Sequence, residues 1–207
     1  MTEPVTRLFL CRHGEVEERY HRVFGGRIDM DLSKRGHAHA AALAAYLKRH
    51  TIDGFFVSPM VRARDTAKPI ADLIGQQPTV MTGLREVDFG DWTGLAWSQV
   101  MERFQVSAFQ WLEQMENSGF PNGDTARTFQ GRVAPCLWEI LESHRGKSAV
   151  IVCHGGVIRM ALSILLQLPL KTFAHFEVDY ASVTEVQISP SKTEVHLMNL
   201  TPWRDID

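Results

Sequence analysis

The chain has 207 residues, with 22 Lys and Arg against 24 Asp and Glu and a formal net charge of -2. That balance argues against a general nucleic-acid binder, and the length suits one domain, residues 1–207, with a full core. A hydrophobic content of 44% beside 22% charged residues is that of a soluble globular protein.

The first element is Leu8-Phe9-Leu10-Cys11, a run apolar on both faces that reads as a buried strand. Its carboxyl end delivers Arg12, His13 and Gly14 into a loop, and the run is too short for a signal peptide. From Glu15 to Asp31 the chain is rich in charge and glycine, including Arg19, Gly25 and Gly26, and reads as a loop above that strand. Ser33 caps a helix from Lys34 to about Arg49, with Ala40, Leu43, Ala44 and Leu47 on one face. Phe55-Phe56-Val57 is a second buried strand, broken by Ser58-Pro59, and a helix follows from Val61 to Ile74. Pro78 to Met81 reads as a third strand, ending near Leu84-Arg85-Glu86.

The alternation then breaks. Between Asp88 and Gly123, weak helical periodicity predicts one or two helices inserted over the sheet, the insertion proper spanning about 92–123. Its tryptophans, Trp92, Trp97 and Trp111, read as core at this spacing, with a ring-binding pocket as the alternative. Asp124 or Thr125 starts another helix through Phe129, Val133 and Ile140, kinked or restarted at Pro135. Ser148 to Cys153 is the fourth core strand and runs into His154-Gly155-Gly156. The helix from Val157 to Leu166 carries Arg159 and is too short to span a bilayer, so no membrane partner is expected. Ser182 to Ile188 and Glu194 to Leu200 alternate as an edge hairpin, which a second copy could pair with to make a homodimer. Cys11, Cys136 and Cys153 cannot all pair, and read as reduced thiols of a cytoplasmic protein. Strands alternating with helices give an α/β sandwich.

Three strand ends thus deliver Arg12-His13, Arg62 and His154, and a fourth delivers Glu86. In open α/β sheets, ligands bind outside the carboxyl ends of the strands. Two arginines and two histidines beside one acid repel one another unless an anion sits among them. Guanidinium forks match phosphate oxygens, and Gly155-Gly156 opens a helix whose N-terminal amides favour an anion. An unprotonated imidazole in such a place can act as a nucleophile. Taken singly, each arginine reads as solvated and each histidine as a satisfied core residue; their joint placement at strand ends is what points to a site.

Four ordered motifs carry a resemblance: Arg12-His13-Gly14-Glu15; Ser58-Pro59-Met60-Val61-Arg62-Ala63 with Thr66-Ala67; Leu84-Arg85-Glu86 with Phe89-Gly90-Asp91-Trp92; and His154-Gly155-Gly156. Together they resemble branch 1 of the histidine phosphatase superfamily, the phosphoglycerate mutase-like group. Pro121 to Thr125 and Phe176 to Ser182 resemble its phosphatase branch, most nearly the alpha-ribazole phosphatases. The resemblance implies an α/β/α sandwich of three layers, with a mostly parallel central sheet and an antiparallel edge. It implies a phosphomonoesterase that needs no metal or cofactor and acts on a small phosphorylated metabolite such as alpha-ribazole phosphate. His13 would carry the phosphoryl group, Arg12, Arg62 and His154 would hold its oxygens, and Glu86 would act as proton donor and acceptor. Gly155, Gly25 and Gly26 would belong to the phosphate pocket. The family commonly has a hydroxyl residue where Val16 stands and asparagine where Arg19 stands, which removes a hydroxyl contact and adds a cation near the phosphate. The stretch Val87-Asp88-Phe89-Gly90 and the shorter insertion favour hydrolase over mutase.

Three rivals follow. Cys153 and Arg159 have the spacing of a cysteine-dependent phosphatase on a strand, loop and helix. A phosphoglycerate mutase would use the same phosphohistidine as an isomerase. A catalytically idle module would bind a phosphorylated ligand and nothing more.

Overall fold

The computed structural model describes residues 4–206; residues 1–3 and 207 of the predicted domain lie outside the described residues. Six strands form one sheet: β1 (Thr6–Arg12), β2 (Gly54–Val57), β3 (Thr79–Val80), β4 (Ser148–Cys153), β5 (Val183–Ile188) and β6 (Thr193–Leu200). Their order is β3-β2-β4-β1-β5-β6. The first four in that order are parallel, whereas β5 runs antiparallel to β1 and β6 antiparallel to β5. The helices are α1 (Lys34–Leu47), α2 (Val61–Ile74), α3 (Trp97–Phe104), α4 (Trp111–Asn117), α5 (Ala126–Ser143), α6 (Gly155–Leu166) and α7 (Pro202–Asp205).

Alternation along β1 explains the layers, since successive side chains on a strand point to opposite faces. Leu8 and Leu10 join Ala149 and Ile151 in a core with α5, α6 and the insertion. Phe9 and Cys11 join Val150 and Val152 in a second core with α1 and α2. Both sheet faces are buried, which is why the parallel strands read as continuous apolar runs rather than alternating ones. The three-layer α/β/α sandwich with an antiparallel edge is the expected one.

The register decides what the carboxyl ends hold. Arg12 pairs with Cys153 across β1 and β4, and Val57 pairs with Val152 across β2 and β4. The next residues therefore come together: the His13 amide donates to the Cys153 carbonyl (3.0 Å), and the Ser58 amide to the Val152 carbonyl (3.0 Å). Ser58, His154 and His13 stand side by side because β2, β4 and β1 do.

Several elements depart from expectation. β3 is only Thr79–Val80, both exposed, and Glu86 follows a 3-10 turn at Thr82–Leu84 rather than the strand itself. α5 is one helix through Pro135, not two. Proline there removes the bond to the Gly131 carbonyl, and Gly131 is exposed with nothing within 4 Å of an added Cβ, so that carbonyl can turn to water. The insertion holds two α-helices, α3 and α4, flanked by 3-10 turns. Among the described residues no helix is long and apolar enough to cross a membrane.

The loop after β1 is pinned to α1. Ser33 Oγ accepts from the Gly36 amide (2.9 Å) as the N-cap and donates to Glu15 Oε1 (2.7 Å). Gly14 and Gly36 meet backbone to backbone, and a Cβ on Gly36 would lie 2.0 Å from the Glu15 carbonyl oxygen. Helix propensity alone makes Gly36→Ala stabilising by about 1 kcal/mol. The contact reverses the sign: we expect a loss of about 1–3 kcal/mol, as for other overpacked sites, read from urea denaturation.

Candidate active site

The carboxyl end of the sheet opens into a cavity of about 480 Å³, lined among others by Arg12, His13, Arg62, Glu86, Gly155 and Gly156. His13 is buried at its base. Its Nδ1 lies 2.8 Å from the Gly14 carbonyl, and Arg62 Nε donates to its Nε2 at 3.2 Å. A carbonyl only accepts and a guanidinium only donates, so the neutral ring has one tautomer here: proton on Nδ1, lone pair on Nε2. Burial first, then Arg62 and Arg12, hold the ring's pKa well below the ordinary 6.5.

Arg62 enters from the second position of α2 and is buried. Its terminal nitrogens donate to the carbonyls of Ile28 (2.7 Å) and Gly26 (3.0 Å), which fixes the fork. Gly25 and Gly26 line the cavity, and Gly26 has φ 47°, a conformation that favours glycine. Thr66, one turn after Arg62, accepts from the Gly14 amide (2.9 Å) and donates to the Arg62 carbonyl (2.7 Å), tying the two motifs together. Arg12 donates to the Val178 carbonyl (2.6 Å) and lies over the Tyr180 ring, 4.0 Å from its centroid, while its buried Nε has no partner. Ala181, beside Tyr180, sits at φ 52° and donates to the His13 carbonyl (3.0 Å). The Trp203 indole N–H holds the Tyr180 carbonyl from the other side (2.8 Å).

His154 is fully buried, with its ring 5.2 Å from that of His13 between centroids. Its Nε2 is 2.7 Å from Ser58 Oγ, and its Nδ1 is buried with no partner. Burial and then Arg62 push its pKa well below 6.5. Glu86 accepts from its neighbour Val87 (amide to Oε1, 3.0 Å) and from the Gly156 amide at the start of α6 (3.3 Å to Oε2). A Cβ on Gly156 would meet Glu86 Oε1, so any side chain there would displace the carboxylate.

The backbone of Glu86 is set by Arg132, which sequence reasoning missed. Its guanidinium donates to the carbonyls of Gly83 (3.1 Å), Arg85 and Glu86 (2.8 Å), and to Asp124 Oδ2 (2.9 Å). Asp124 also accepts from the Asp88 amide (2.9 Å). No spacing in the chain marks an arginine on α5 as the buttress of an acid some 46 residues earlier.

Neither Arg19 nor the rival Cys153–Arg159 pair joins the seat. Arg19 is not near the phosphate seat: it is an exposed residue paired with Glu17 (2.6 Å), outside the cavity lining, because the loop turns its side chain to solvent. Cys153 is fully buried in the core, where desolvation pushes its thiol well above the ordinary value and disfavours the thiolate that such a mechanism needs. Arg159, its supposed partner, spends its donors on the carbonyls of Phe173 (3.2 Å), Gly155 (3.3 Å) and Phe176 (3.0 Å). Val16 is buried and lines the cavity, as the lost hydroxyl implied. Trp92 is core, whereas Trp97 and Trp111 line the cavity.

Residues 8–201 match the family model of the histidine phosphatase superfamily, branch 1. The chain belongs to that superfamily. A putative phosphoserine phosphatase 2 of Hydrogenobacter thermophilus is 30% identical over 193 residues, 93% of this chain and 95% of that protein. The adenosylcobalamin/alpha-ribazole phosphatase of Salmonella typhimurium is 25% identical over 199 residues, covering 96% and 98% respectively. A mycobacterial glucosyl-3-phosphoglycerate phosphatase has a solved structure that superposes with a TM-score of 0.86 at 26% identity, covering 94% of this chain and 99% of that one. This member of the histidine phosphatase superfamily is a phosphoric monoester hydrolase.

Burying two neutral imidazoles has a thermodynamic signature. Below about pH 6.5 the unfolded chain binds protons that native His13 and His154 refuse, so stability falls with pH in that range and levels off above it. Each ring contributes a slope of up to about 1.4 kcal/mol per pH unit. Urea midpoints should drop between pH 7.5 and 5.5, and His13→Asn should flatten that drop by removing one of the two rings.

Proposed function

We propose that the protein is a metal-independent phosphomonoesterase that works through a phosphohistidine on His13 Nε2. The observation that carries this reading is the ring itself: buried, neutral, with its Nδ1 proton held by Gly14 and its unprotonated Nε2 at the base of the cavity. A phosphate entering the cavity replaces the weak Arg62 Nε contact with an attack by Nε2 on phosphorus. Arg12, with an unpartnered Nε, and Arg62 supply positive charge for the equatorial oxygens as charge spreads over them. The Ser58 hydroxyl, already accepting from the Met60 amide (3.4 Å), donates to His154 Nε2, leaving the unpartnered Nδ1 with the proton that a phosphate oxygen accepts. Glu86 protonates the leaving oxygen and then takes a proton from the water that hydrolyses the phosphoenzyme, returning His13 to its starting state. The α3 and α4 helices cover the site, and the substrate is a small phosphorylated metabolite, with alpha-ribazole phosphate the candidate drawn from the relatives. The intact set of His13, Arg12, Arg62, Glu86 and His154 in the chain speaks against the idle module.

The test is chemical. Rapid quenching during turnover should trap a phosphoryl group that is labile in acid and stable in base, as a phosphoramidate is. His13→Ala should lose it together with activity, by roughly 10⁴-fold or more; full turnover by that variant would overturn the reading. Incubation with 3-phosphoglycerate and a trace of the bisphosphate separates the isomerase, which would yield 2-phosphoglycerate without release of phosphate.

A further inference from the structure

Resting on the phosphatase reading of the cavity, we infer that its outer wall is a subsite for an uncharged aromatic leaving group, and that substrates carrying a second anion are disfavoured. Large aromatic side chains are costly to expose, yet Trp97 is 37% exposed, Phe109 76% and Phe176 44%, and all three line this cavity. Only one other described Phe or Trp is comparably exposed, Trp138 at 50%, and it lies elsewhere on α5. Trp97 and Phe109 meet edge to face, with centroids 5.4 Å apart at 70°. They come from the insertion, while Phe176 comes from the segment after α6, so the wall is built from two unconnected parts of the chain. The walls below it are also apolar, through Val16 and Phe24. Aromatic faces and edges laid out in this way receive a flat ring by offset or edge-to-face packing.

Charge supports the same class. A phosphate dianion balances Arg12 and Arg62 at the base of the cavity. The third lining cation, Arg159, has Nε and both terminal nitrogens turned to backbone carbonyls, and it holds in place the segment that presents Phe176. The next residue, Glu177, lines the cavity as an exposed carboxylate for which no hydrogen bond or ion pair is found among the described residues. Asp179 is neutralised by Arg204 (3.0 Å). A carboxylate or second phosphate on the leaving group would therefore meet the unpaired Glu177 carboxylate, while Arg159 keeps its charge but has all three of its nitrogens already engaged by carbonyls. An uncharged ring meets neither difficulty.

The experiment compares three primary alkyl phosphates, so that leaving-group acidity does not decide the outcome: ethyl phosphate, 2-(1-naphthyl)ethyl phosphate and 3-phosphoglycerate. The naphthyl ester should exceed ethyl phosphate in kcat/KM by about tenfold or more, chiefly through KM, with phosphoglycerate the poorest. Phe109→Ala changes a surface side chain and should shrink the naphthyl-to-ethyl ratio towards one, while Phe109→Trp should keep it. Glu177→Gln should raise phosphoglycerate relative to ethyl phosphate. Equal kcat/KM for the two esters of uncharged alcohols, or a preference for phosphoglycerate, overturns the subsite while leaving the phosphatase reading intact. Hydrolysis of none of the three overturns that reading, and the subsite with it.

Discussion

Two hydrogen bonds of fixed polarity hold the His13 ring, one from its Nδ1 to a carbonyl and one to its Nε2 from a guanidinium. Neither partner can exchange donor for acceptor, so the ring has no choice of tautomer while it stays neutral. It stays neutral because it is buried beside two permanent cations. The same cations that make a protonated ring costly make an anion welcome, so one arrangement both exposes a lone pair and selects what approaches it. A solvated histidine at the same strand end would be partly protonated near neutral pH and free to flip.

Holding Arg12 and Arg62 close together without a ligand has its own cost, and backbone carbonyls offset it. Ile28 and Gly26 accept from Arg62, and Val178 accepts from Arg12, whose guanidinium also rests on Tyr180. Each acceptor lies in a loop 34 or more residues from the arginine it serves, so the electrostatics of the site is completed only when the loops close over the sheet. The Glu86 carboxylate follows the same logic from the other side, held by the Gly156 amide at a helix N-terminus while Arg132 and Asp124 fix its backbone.

This division also says what could be read from the chain alone. Strand β1 and strand β4 announce themselves as apolar runs ending in Arg12-His13 and His154, because burial on both faces and the break at the carboxyl end are local properties. Arg62 and Glu86 were visible through their motifs. Ser58, Thr66, Arg132, Asp124 and Tyr180 carry much of the positioning, and none could be assigned that role, because each acts through a partner between 36 and 96 residues away or through a ring contact. Arg19 failed for the converse reason: a cation close in sequence to the motif turns outward to Glu17. The Cys153–Arg159 spacing failed because spacing says nothing about which face of β4 the thiol occupies, and that face is core.

The seat and the wall are built differently, and the difference bears on how substrates can vary. His13, Ser58 and His154 directly follow adjacent strands whose register leaves them little freedom. Trp97, Phe109 and Phe176 sit on short helices and 3-10 turns with exposed side chains, where substitution disturbs little of the core. Changes at such positions alter what is recognised without touching the groups proposed to carry the reaction. Relatives only 25% to 30% identical to this chain bear the names of different phosphorylated substrates. A rigid seat beneath a mutable wall is a physical arrangement that permits that spread, and it makes the wall, rather than the motifs, the place where this chain's own specificity is written.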